Sequence, residues 1–233
     1  MAVNYNPRIV TDGLFFCVDA GNPKSYPGSG TTWTNVAGSG SITLTNMDGT
    51  NFNSDNGGSL DFNGTDQYAS TISIGLYTPY CIDIWFYNDD NITSGIVQQL
   101  CGAGTYPGGI TLGGWTSEAT NETFSFFGAP YTSTGLTYIR DTASSGIHNI
   151  VVNWNGSTYD IWLDGTKRTT YASPSYGHCT LHSRNGFALG SGVGNPLSYG
   201  FDGKIYSARI YTSQLSDEQV QQNFNVLRVR FGI

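Results

Sequence analysis

The chain has 233 residues, and charged residues make up only 12% of them, about half the fraction typical of globular proteins. The scarcity of Lys and Glu, which are strong helix formers, disfavours a predominantly helical protein. The formal net charge of −7 disfavours nucleic acid and anionic membranes as partners, because both require clustered Lys and Arg. A content of 31 Gly and 14% aromatic residues predicts many short strands joined by tight turns.

Neither a signal peptide nor a membrane span is expected. Residues 1–7 contain no basic region followed by an apolar run, and no stretch approaches about 18 apolar residues. The four cysteines form no CxxC spacing, and we expect buried, reduced thiols at Cys17, Cys81, Cys101 and Cys179. The sequence HCTLH at 178–182 is only a weak indication of half a metal site.

Apolar residues alternate with period two throughout the chain, which predicts strands. In chain order the predicted strands cover residues 14–19, 42–45, 59–63, 67–74, 80–87, 96–101, 110–113, 123–128, 136–140, 147–154, 159–163, 166–171, 186–190 and 201–211. Residues 21–40 read as a long loop that carries Tyr26 and Trp33. Asn155 and Gly156 between two strands are typical of a type I′ hairpin turn.

One helix is predicted after the last strand. Ser216 can cap it and Gln219 completes a capping box, while Val220, Phe224 and Leu227 form one apolar face. We therefore expect an all-β fold, a two-sheet antiparallel jelly-roll sandwich with one short C-terminal helix.

The expected domain division is an N-terminal arm at 1–12, one jelly-roll domain at 13–227 and a C-terminal tail at 228–233. The tail reads as a short strand or a docking segment. The arm and residues 225–233 are the candidates for docking to other subunits.

Four segments in chain order resemble concanavalin A-like, laminin-G-like domains. They are SLDFNGTDQYAS (59–70), YCIDIWFY (80–87), GIHNIVVNWNGSTYDIWLDGTKR (146–168) and FDGKIYSARIYTSQLSDEQVQQNF (201–224). The resemblance implies a jelly roll of two antiparallel sheets. The sequence departs from the family at Ile147, where Trp is usual, and at Ser207 and Ala208, where an acidic residue is common.

The opening segment, residues 7–35, resembles the start of such domains in tailed-phage structural proteins, notably those of marine and cyanobacterial phages. This resemblance implies a non-enzymatic virion surface protein assembled in the host cytoplasm, either a capsid decoration or a head, neck or tail fibre element. Its expected partners are other virion proteins, sister subunits and host surface glycans. The alternative is a purely structural cement subunit that binds no sugar, and a glycan-active enzyme is a third, disfavoured hypothesis.

Relatives of this fold that cleave β-glucans carry acidic residues alternating along one strand. Retaining hydrolysis needs two carboxyl groups about 5–5.5 Å apart, whereas Glu118 and Glu122 would be more than about 13 Å apart in a strand. Asp83 has no acidic neighbour at positions 81 or 85, and we interpret it as a polar residue on one sheet face, bonded to a backbone group. No enzymatic activity is therefore expected.

Calcium is the one cofactor that the sequence suggests. Asp89, Asp90 and Asn91 follow a strong predicted strand, and Asp66 lies in another turn, so these residues offer oxygen ligands to a hard cation. The other interpretation is a turn whose Asp and Asn side chains hydrogen-bond their own backbone.

Aromatic residues in Gly-, Pro- and Ser-rich segments are the candidate glycan contacts, since sugars stack their C–H faces on exposed rings. They are Trp33, Tyr106, Trp115, Tyr131, Tyr176 and Tyr199. The same rings could instead cover the ends of the sandwich or subunit interfaces, and the sequence does not separate the two roles. Trp85, Trp154 and Trp162 lie inside predicted strands and are expected to pack in the interior.

Overall fold

The computed structural model describes residues 8–71, 81–89, 98–103, 108–112, 124–127, 136–139, 145–154, 158–172, 187–191 and 199–233. These residues form two antiparallel sheets and one α-helix. Sheet A contains, in spatial order, β14 (Thr166–Ala172), β13 (Thr158–Leu163), β12 (Gly146–Trp154), β7 (Cys81–Asn88), β16 (Asp202–Tyr211), β5 (Ser59–Asn63) and β4 (Phe52–Asn53), with β1 (Leu14–Asp19) paired to β16. Sheet B contains β11 (Leu136–Ile139), β10 (Phe124–Phe127), β9 (Gly108–Leu112), β8 (Gln98–Ala103), β15 (Phe187–Leu189), β6 (Tyr68–Thr71), β3 (Ser41–Thr45) and β2 (Thr32–Thr34).

This architecture confirms the expected two-sheet antiparallel sandwich. The sequence missed β2, which lies inside the predicted loop at 21–40, and also β4 and two 3₁₀ turns, Gly49–Asn51 and Asp55–Gly57. The hairpin of β12 and β13 is confirmed by the pairing of Trp154 with Tyr159, while its turn residues lie outside the described part.

The main core lies between the sheets, where β-branched and aromatic residues from alternate strand positions meet. Ile84 and Phe86 of β7 contribute from sheet A, and Leu100 and Phe187 contribute from sheet B. Cys17 and Cys81 are buried thiols, as expected, and Cys101 is also buried. Burial raises the pKa of Cys81 well above its ordinary value, which keeps this thiol protonated.

The α-helix α1 (Asp217–Phe231) covers the outer face of sheet A, the face that points away from sheet B. Ser216 caps it and forms the expected capping box with Gln219. The helix ends at Gly232, which adopts φ +71° as a left-handed cap. Residues 228–231 are therefore the last turn of the helix, and the expectation of a separate tail or strand beginning at 228 is wrong.

Three stacked rings join the helix to the sheet. The indole of Trp85 lies 5.5 Å from the ring of Phe224 and 4.7 Å from that of Phe231, both nearly parallel to it. Gly165 allows this approach, because a Cβ at this position would lie 2.5 Å from Phe224 Cδ1. Trp85, Trp154 and Trp162 are all buried, which confirms their predicted packing role.

The segment that precedes β1 also docks on α1. The Val10 N–H donates to Asn223 Oδ1 at 2.8 Å, and the Asn223 amide donates to the hydroxyl of Tyr211. The described residues of the expected N-terminal arm are therefore held against the chain's own helix.

Among the described residues, no helix is long and apolar enough to cross a membrane.

A buried ion pair lies between sheet A and α1. Arg209 Nη1 donates to Asp83 Oδ2 at 3.3 Å, the Asn149 amide donates to Asp83 Oδ1 at 2.8 Å, and Arg209 Nη2 donates to Ser207 Oγ at 3.2 Å. Burial alone would lower the pKa of Arg209, but the charge of Asp83 together with Cys17, Tyr211 and Asp19 outweighs it, so the pKa is raised. Our expectation that Asp83 bonds a backbone group is wrong, since its partners are the side chains of Arg209 and Asn149.

Replacing one member of this ion pair should destabilise the folded protein. Asp83→Asn should lower the free energy of unfolding by about 3 kcal/mol, because it leaves the Arg209 charge buried and uncompensated. The double variant Asp83→Leu with Arg209→Met should recover most of that loss. Urea denaturation measures both, and a single variant as stable as the parent would contradict the interpretation.

A second ion pair fixes the end of α1. Arg230 donates from Nη1 to Asp19 Oδ1 at 2.8 Å, from Nε to the Asn56 carbonyl at 2.6 Å and from Nη2 to the Gly58 carbonyl at 2.6 Å. The guanidinium also lies 5.8 Å from the ring centre of Tyr206. One side chain thus ties the helix to β1 and to the turn before β5.

Arg230→Ala should reduce the free energy of unfolding by about 2 kcal/mol, because three charge-assisted hydrogen bonds are lost. Arg228→Ala is the matched control, since this exposed residue in the same helical turn bonds only the Ile233 carbonyl. Equal effects of the two substitutions in chemical denaturation would show that the contacts of Arg230 do not hold the helix.

Candidate functional site

Three of the described candidate residues, Asp66, Asp89 and Tyr199, lie at one end of the sandwich, which we call the Asp202 end. Here Asn63, the last residue of β5, pairs with Asp202, the first residue of β16. On the other side of β16, Gly203 pairs with Asn88 at the end of β7. The turn at 63–67 crosses from β5 to β6 and so joins the two sheets at this end.

The turn at 63–67 is organised by a single side chain. Asn63 Oδ1 accepts from the backbone N–H groups of Thr65, Asp66 and Gln67 at 3.0, 3.1 and 3.3 Å. The Asn63 amide also donates to Asp66 Oδ1 at 2.8 Å. This is an Asx turn, in which a short amide side chain replaces the missing backbone partners.

Neighbouring amides extend this turn into a connected amide rim, formed by Asn46, Asn51, Asn63, Asp66 and Gln67. The Asn46 amide donates to Asp66 Oδ2 at 3.2 Å, the Gln67 amide donates to the Asn46 carbonyl at 3.1 Å, and the Asn51 amide donates to Gln67 Oε1 at 3.1 Å. Because each side chain is held by another, the polar groups of the rim are fixed before any ligand arrives.

Tyr199 lies beside the rim on the segment that leads into β16. Its carbonyl accepts from the Gln99 N–H at 2.8 Å, and Gln98 Oε1 accepts from the Asp202 N–H at 3.2 Å. A Cβ on Gly200 would lie 2.5 Å from the Gly64 carbonyl carbon, so the Tyr199 segment and the 63–67 turn touch. Tyr199 is half-buried.

Gln99 carries an unpaired amide in this region. The residue is 1% exposed, and its Nε2 finds no hydrogen-bond partner among the described residues. A buried N–H donor without a partner costs about 1–3 kcal/mol. The Gln99 side chain therefore carries a buried donor without a partner, while its backbone N–H bonds the Tyr199 carbonyl.

Carboxylates dominate the electrostatics of the Asp202 end. Burial raises the pKa of Asp202, and the neighbouring charge of Asp89 raises it further. Burial also raises the pKa of Asp61, against the opposing effect of Lys204. The ammonium of Lys204 lies 5.5 Å from the ring centre of Tyr87.

The six predicted aromatic contacts have different outcomes. The prediction that Trp33 is an exposed glycan contact is wrong. Trp33 lies on β2, is 0% exposed and packs in the core between the sheets. Its placement follows from the pairing of Trp33 with Ile42 of β3, which makes β2 an edge strand of sheet B. Tyr199 lies at the Asp202 end. Tyr106, Trp115, Tyr131 and Tyr176 lie outside the described residues.

Of the predicted calcium ligands, the structure describes Asp66 and Asp89. Asp66 accepts hydrogen bonds from two amides of the rim, so at this position the Asx-turn interpretation applies. Asp89 is exposed, and Asp90 and Asn91 lie outside the described part, as does the HCTLH segment. In the described ranges, no group of three or more His, Cys, Asp or Glu side chains is placed to hold a metal ion.

The sequence did not predict that the five residues of the amide rim lie together. The pattern Asn-Gly-Thr-Asp at 63–66 does indicate an Asx turn. The contacts of Asn46 with Asp66 and of Asn51 with Gln67 join residues 20 and 16 positions apart, and no local pattern predicts them.

The fold agrees with one superfamily. The sequence profile of the concanavalin A-like lectin/glucanases superfamily matches residues 62–221. The chain belongs to this superfamily. A search of curated proteins finds no match to this chain.

Solved structures share the superfamily fold at low sequence identity. The receptor-binding domain of botulinum neurotoxin C/D mosaic serotype aligns with a TM-score of 0.65 and 9% identity, over 93% of this chain and 52% of the toxin domain. Domain 4 of AbnA, an extracellular arabinanase from Geobacillus stearothermophilus solved with arabinotriose, aligns with a TM-score of 0.59 and 15% identity, over 90% of this chain and 97% of that domain. Trypanosoma rangeli sialidase aligns with a TM-score of 0.62 and 14% identity, over 91% of this chain and 32% of the enzyme. The chain thus spans about half of the toxin domain and a third of the sialidase.

Because the pKa of Asp202 is raised, its effect on the stability of the protein should depend on pH. Above its folded-state pKa the ionised carboxylate is less favourable in the folded chain than in the unfolded chain, so Asp202→Asn should raise the melting temperature at pH 7. The gain should shrink as the pH falls and vanish below the ordinary value of 3.8, where both states are protonated.

Calorimetry of the Asp202→Asn variant from neutral to acid pH checks this expectation. Asp12→Asn, which removes the charge of an exposed aspartate before β1, is the matched control. A stabilisation by Asp202→Asn that persisted at the lowest pH would have a cause other than the buried charge.

Proposed function

We propose that this chain is a non-enzymatic, lectin-like domain that binds glycans at the Asp202 end. The observation that carries the proposal is the preformed amide rim beside Tyr199. Sugar recognition combines fixed polar side chains that bond hydroxyl groups with an aromatic ring that stacks on a C–H face. The rim and Tyr199 supply both kinds of contact on adjoining segments.

Two further points support glycan binding. The superfamily includes lectins, and the chain belongs to it over residues 62–221. Domain 4 of AbnA, which this chain matches over nearly all of that domain's length, is described in complex with arabinotriose. Binding of an oligosaccharide is thus compatible with a domain of this size and fold.

The assignment as a non-enzyme is supported by the state of Asp83. This strand carboxylate is 1% exposed and paired with Arg209, so a substrate cannot reach it. Retaining hydrolysis requires two carboxyl groups that face a shared substrate. Glu118 and Glu122 lie outside the described residues.

We further propose a place on the surface of a virion, as a capsid decoration or as a head, neck or tail fibre element. The support is the resemblance of residues 7–35 to the opening of phage structural domains. Many copies on one particle would convert weak individual sites into strong overall attachment.

A purely structural cement subunit is the second candidate, and one observation favours it. Val229 and Ile233 at the end of α1 are 75% and 48% exposed, and exposed apolar side chains are typical of contacts with a neighbouring subunit. On this hypothesis the Asp202 end binds no sugar.

A glycan array probed with the purified protein, in calcium and in chelator, tests the proposal. Binding that survives the chelator should be weakened at least about tenfold by Tyr199→Ala and retained by Tyr199→Phe, because stacking requires the ring and not the hydroxyl. Binding abolished by the chelator would point instead to a cation held near Asp89 and Asp90.

Two controls keep the result interpretable. The melting temperature of each Tyr199 variant reports whether the domain is folded, and Asn225→Ala, an exposed position on α1, should leave glycan binding unchanged. If the folded protein bound no glycan on the array, the cement hypothesis would replace the lectin.

A further inference from the structure

Asparagine followed by glycine is a chemically labile dipeptide. The glycine nitrogen has no neighbouring Cβ to shield it, so it can attack the asparagine Cγ and displace the side-chain amide. The structure describes two such dipeptides, Asn56-Gly57 and Asn63-Gly64. Both asparagines are exposed, so exposure alone does not separate them, but their hydrogen bonds do.

The side-chain amide of Asn63 is held by several partners. Its Oδ1 accepts from three backbone N–H groups of the 63–67 turn, and its Nδ2 donates to Asp66 Oδ1. The nitrogen that would attack it, that of Gly64, donates its proton to the Phe201 carbonyl at 3.0 Å. Ring closure at this dipeptide requires local opening of these bonds, which protects Asn63.

Asn56 lies in a turn between β4 and β5 that backbone atoms close. It adopts φ 51° and ψ 32°, Gly57 follows with φ +79°, and the Gly58 N–H donates to the Asp55 carbonyl at 3.0 Å, as in a type I′ turn. The Asn56 side chain hydrogen-bonds the Tyr206 hydroxyl. Because its amide does not close the turn, it is held less firmly than the amide of Asn63.

This turn also holds the end of α1. Arg230 Nε donates to the Asn56 carbonyl and Arg230 Nη2 donates to the Gly58 carbonyl, each at 2.6 Å. Gly58 packs against the segment after β1, since a Cβ on it would lie 2.8 Å from Gly21 Cα. The geometry of the turn fixes both carbonyls, so a change in the main chain between residues 56 and 58 would displace the acceptors of Arg230.

We propose that Asn56 is a deamidation site and that its isoaspartate product releases the end of α1. In the first step the Gly57 nitrogen forms a bond to Asn56 Cγ, the bond from Cγ to Nδ2 breaks, and ammonia leaves with the proton of the Gly57 N–H. Water then opens the resulting succinimide ring. Opening at Cγ gives aspartate, whereas opening at the former backbone carbonyl gives isoaspartate.

Isoaspartate changes the turn in two ways. The main chain now runs through Cβ and Cγ, which lengthens the turn by one methylene group, and the former Asn56 carbonyl becomes a free carboxylate. Because a type I′ turn requires two ordinary α-linked residues at its centre, the Gly58 carbonyl is displaced from Arg230. Arg230 keeps Asp19 as a charged partner but loses its fixed pair of carbonyls, so the last turn of α1 should open more often.

The experiment follows the purified protein during incubation at mildly alkaline pH, where the attacking nitrogen loses its proton more readily. Peptide mapping by mass spectrometry measures the conversion of each dipeptide, and electron-transfer fragmentation distinguishes isoaspartate from aspartate. We expect Asn56 to be converted while the Asn63 peptide is still intact. Amide hydrogen exchange of residues 226–233 should become faster as isoaspartate accumulates.

Three variants connect the exchange to the modification. Asn56→Gly has no Cγ to attack and accepts a positive φ, so its exchange should stay constant during the incubation. Asn56→Asp adds the charge without lengthening the main chain and should begin with the exchange of the parent. Arg230→Ala lacks the anchor, so its α1 end should exchange quickly from the start and change no further.

The outcomes do not depend on glycan binding. Conversion of Asn56 ahead of Asn63, with faster exchange at the α1 end that is absent from Asn56→Gly, would support the proposal. Conversion of Asn63 at the rate of Asn56 would overturn the assignment of the site. Isoaspartate at position 56 with unchanged exchange of residues 226–233 would overturn the release of the helix.

Discussion

The burial of both faces of sheet A is the constraint on which the rest of the structure depends. One face of β7 and β16 forms the core with sheet B, and the other lies beneath α1, so the polar side chains of that second face must find partners inside the protein. Asp83 and Arg209 pair with each other there, and Trp85 stacks on two rings of the helix. The helix is thus a third layer of the domain, and removing it would expose both a charge pair and an aromatic surface.

The same constraint determines where a ligand can bind. The central strands β7 and β16 are covered along most of their length, and the described polar groups that remain accessible on them lie where they reach the Asp202 end. There the chain crosses between the sheets at 63–67, and the side chains of the amide rim fix the crossing. A rigid two-sheet framework therefore presents a polar edge whose geometry does not depend on ligand binding.

Membership of the superfamily establishes the fold but does not identify a ligand, because the same jelly roll occurs in proteins of different activity. The ligand that we propose for this chain therefore depends on the side chains of the Asp202 end, where the amide rim lies, and not on the sheets.

The sequence by itself determined the strand positions, the antiparallel sandwich and the capping box at Ser216 and Gln219, because period-two alternation and caps are local patterns. It also indicated burial of Trp85 from its place inside a strand. Only the tertiary structure decided that Trp33 is a core residue, that Asp83 pairs with Arg209 across 126 positions, and that Asn46 and Asp66 join in one rim. The physical reason is that a strand's alternation tells which residues share a face, whereas what covers that face depends on elements far away in the chain.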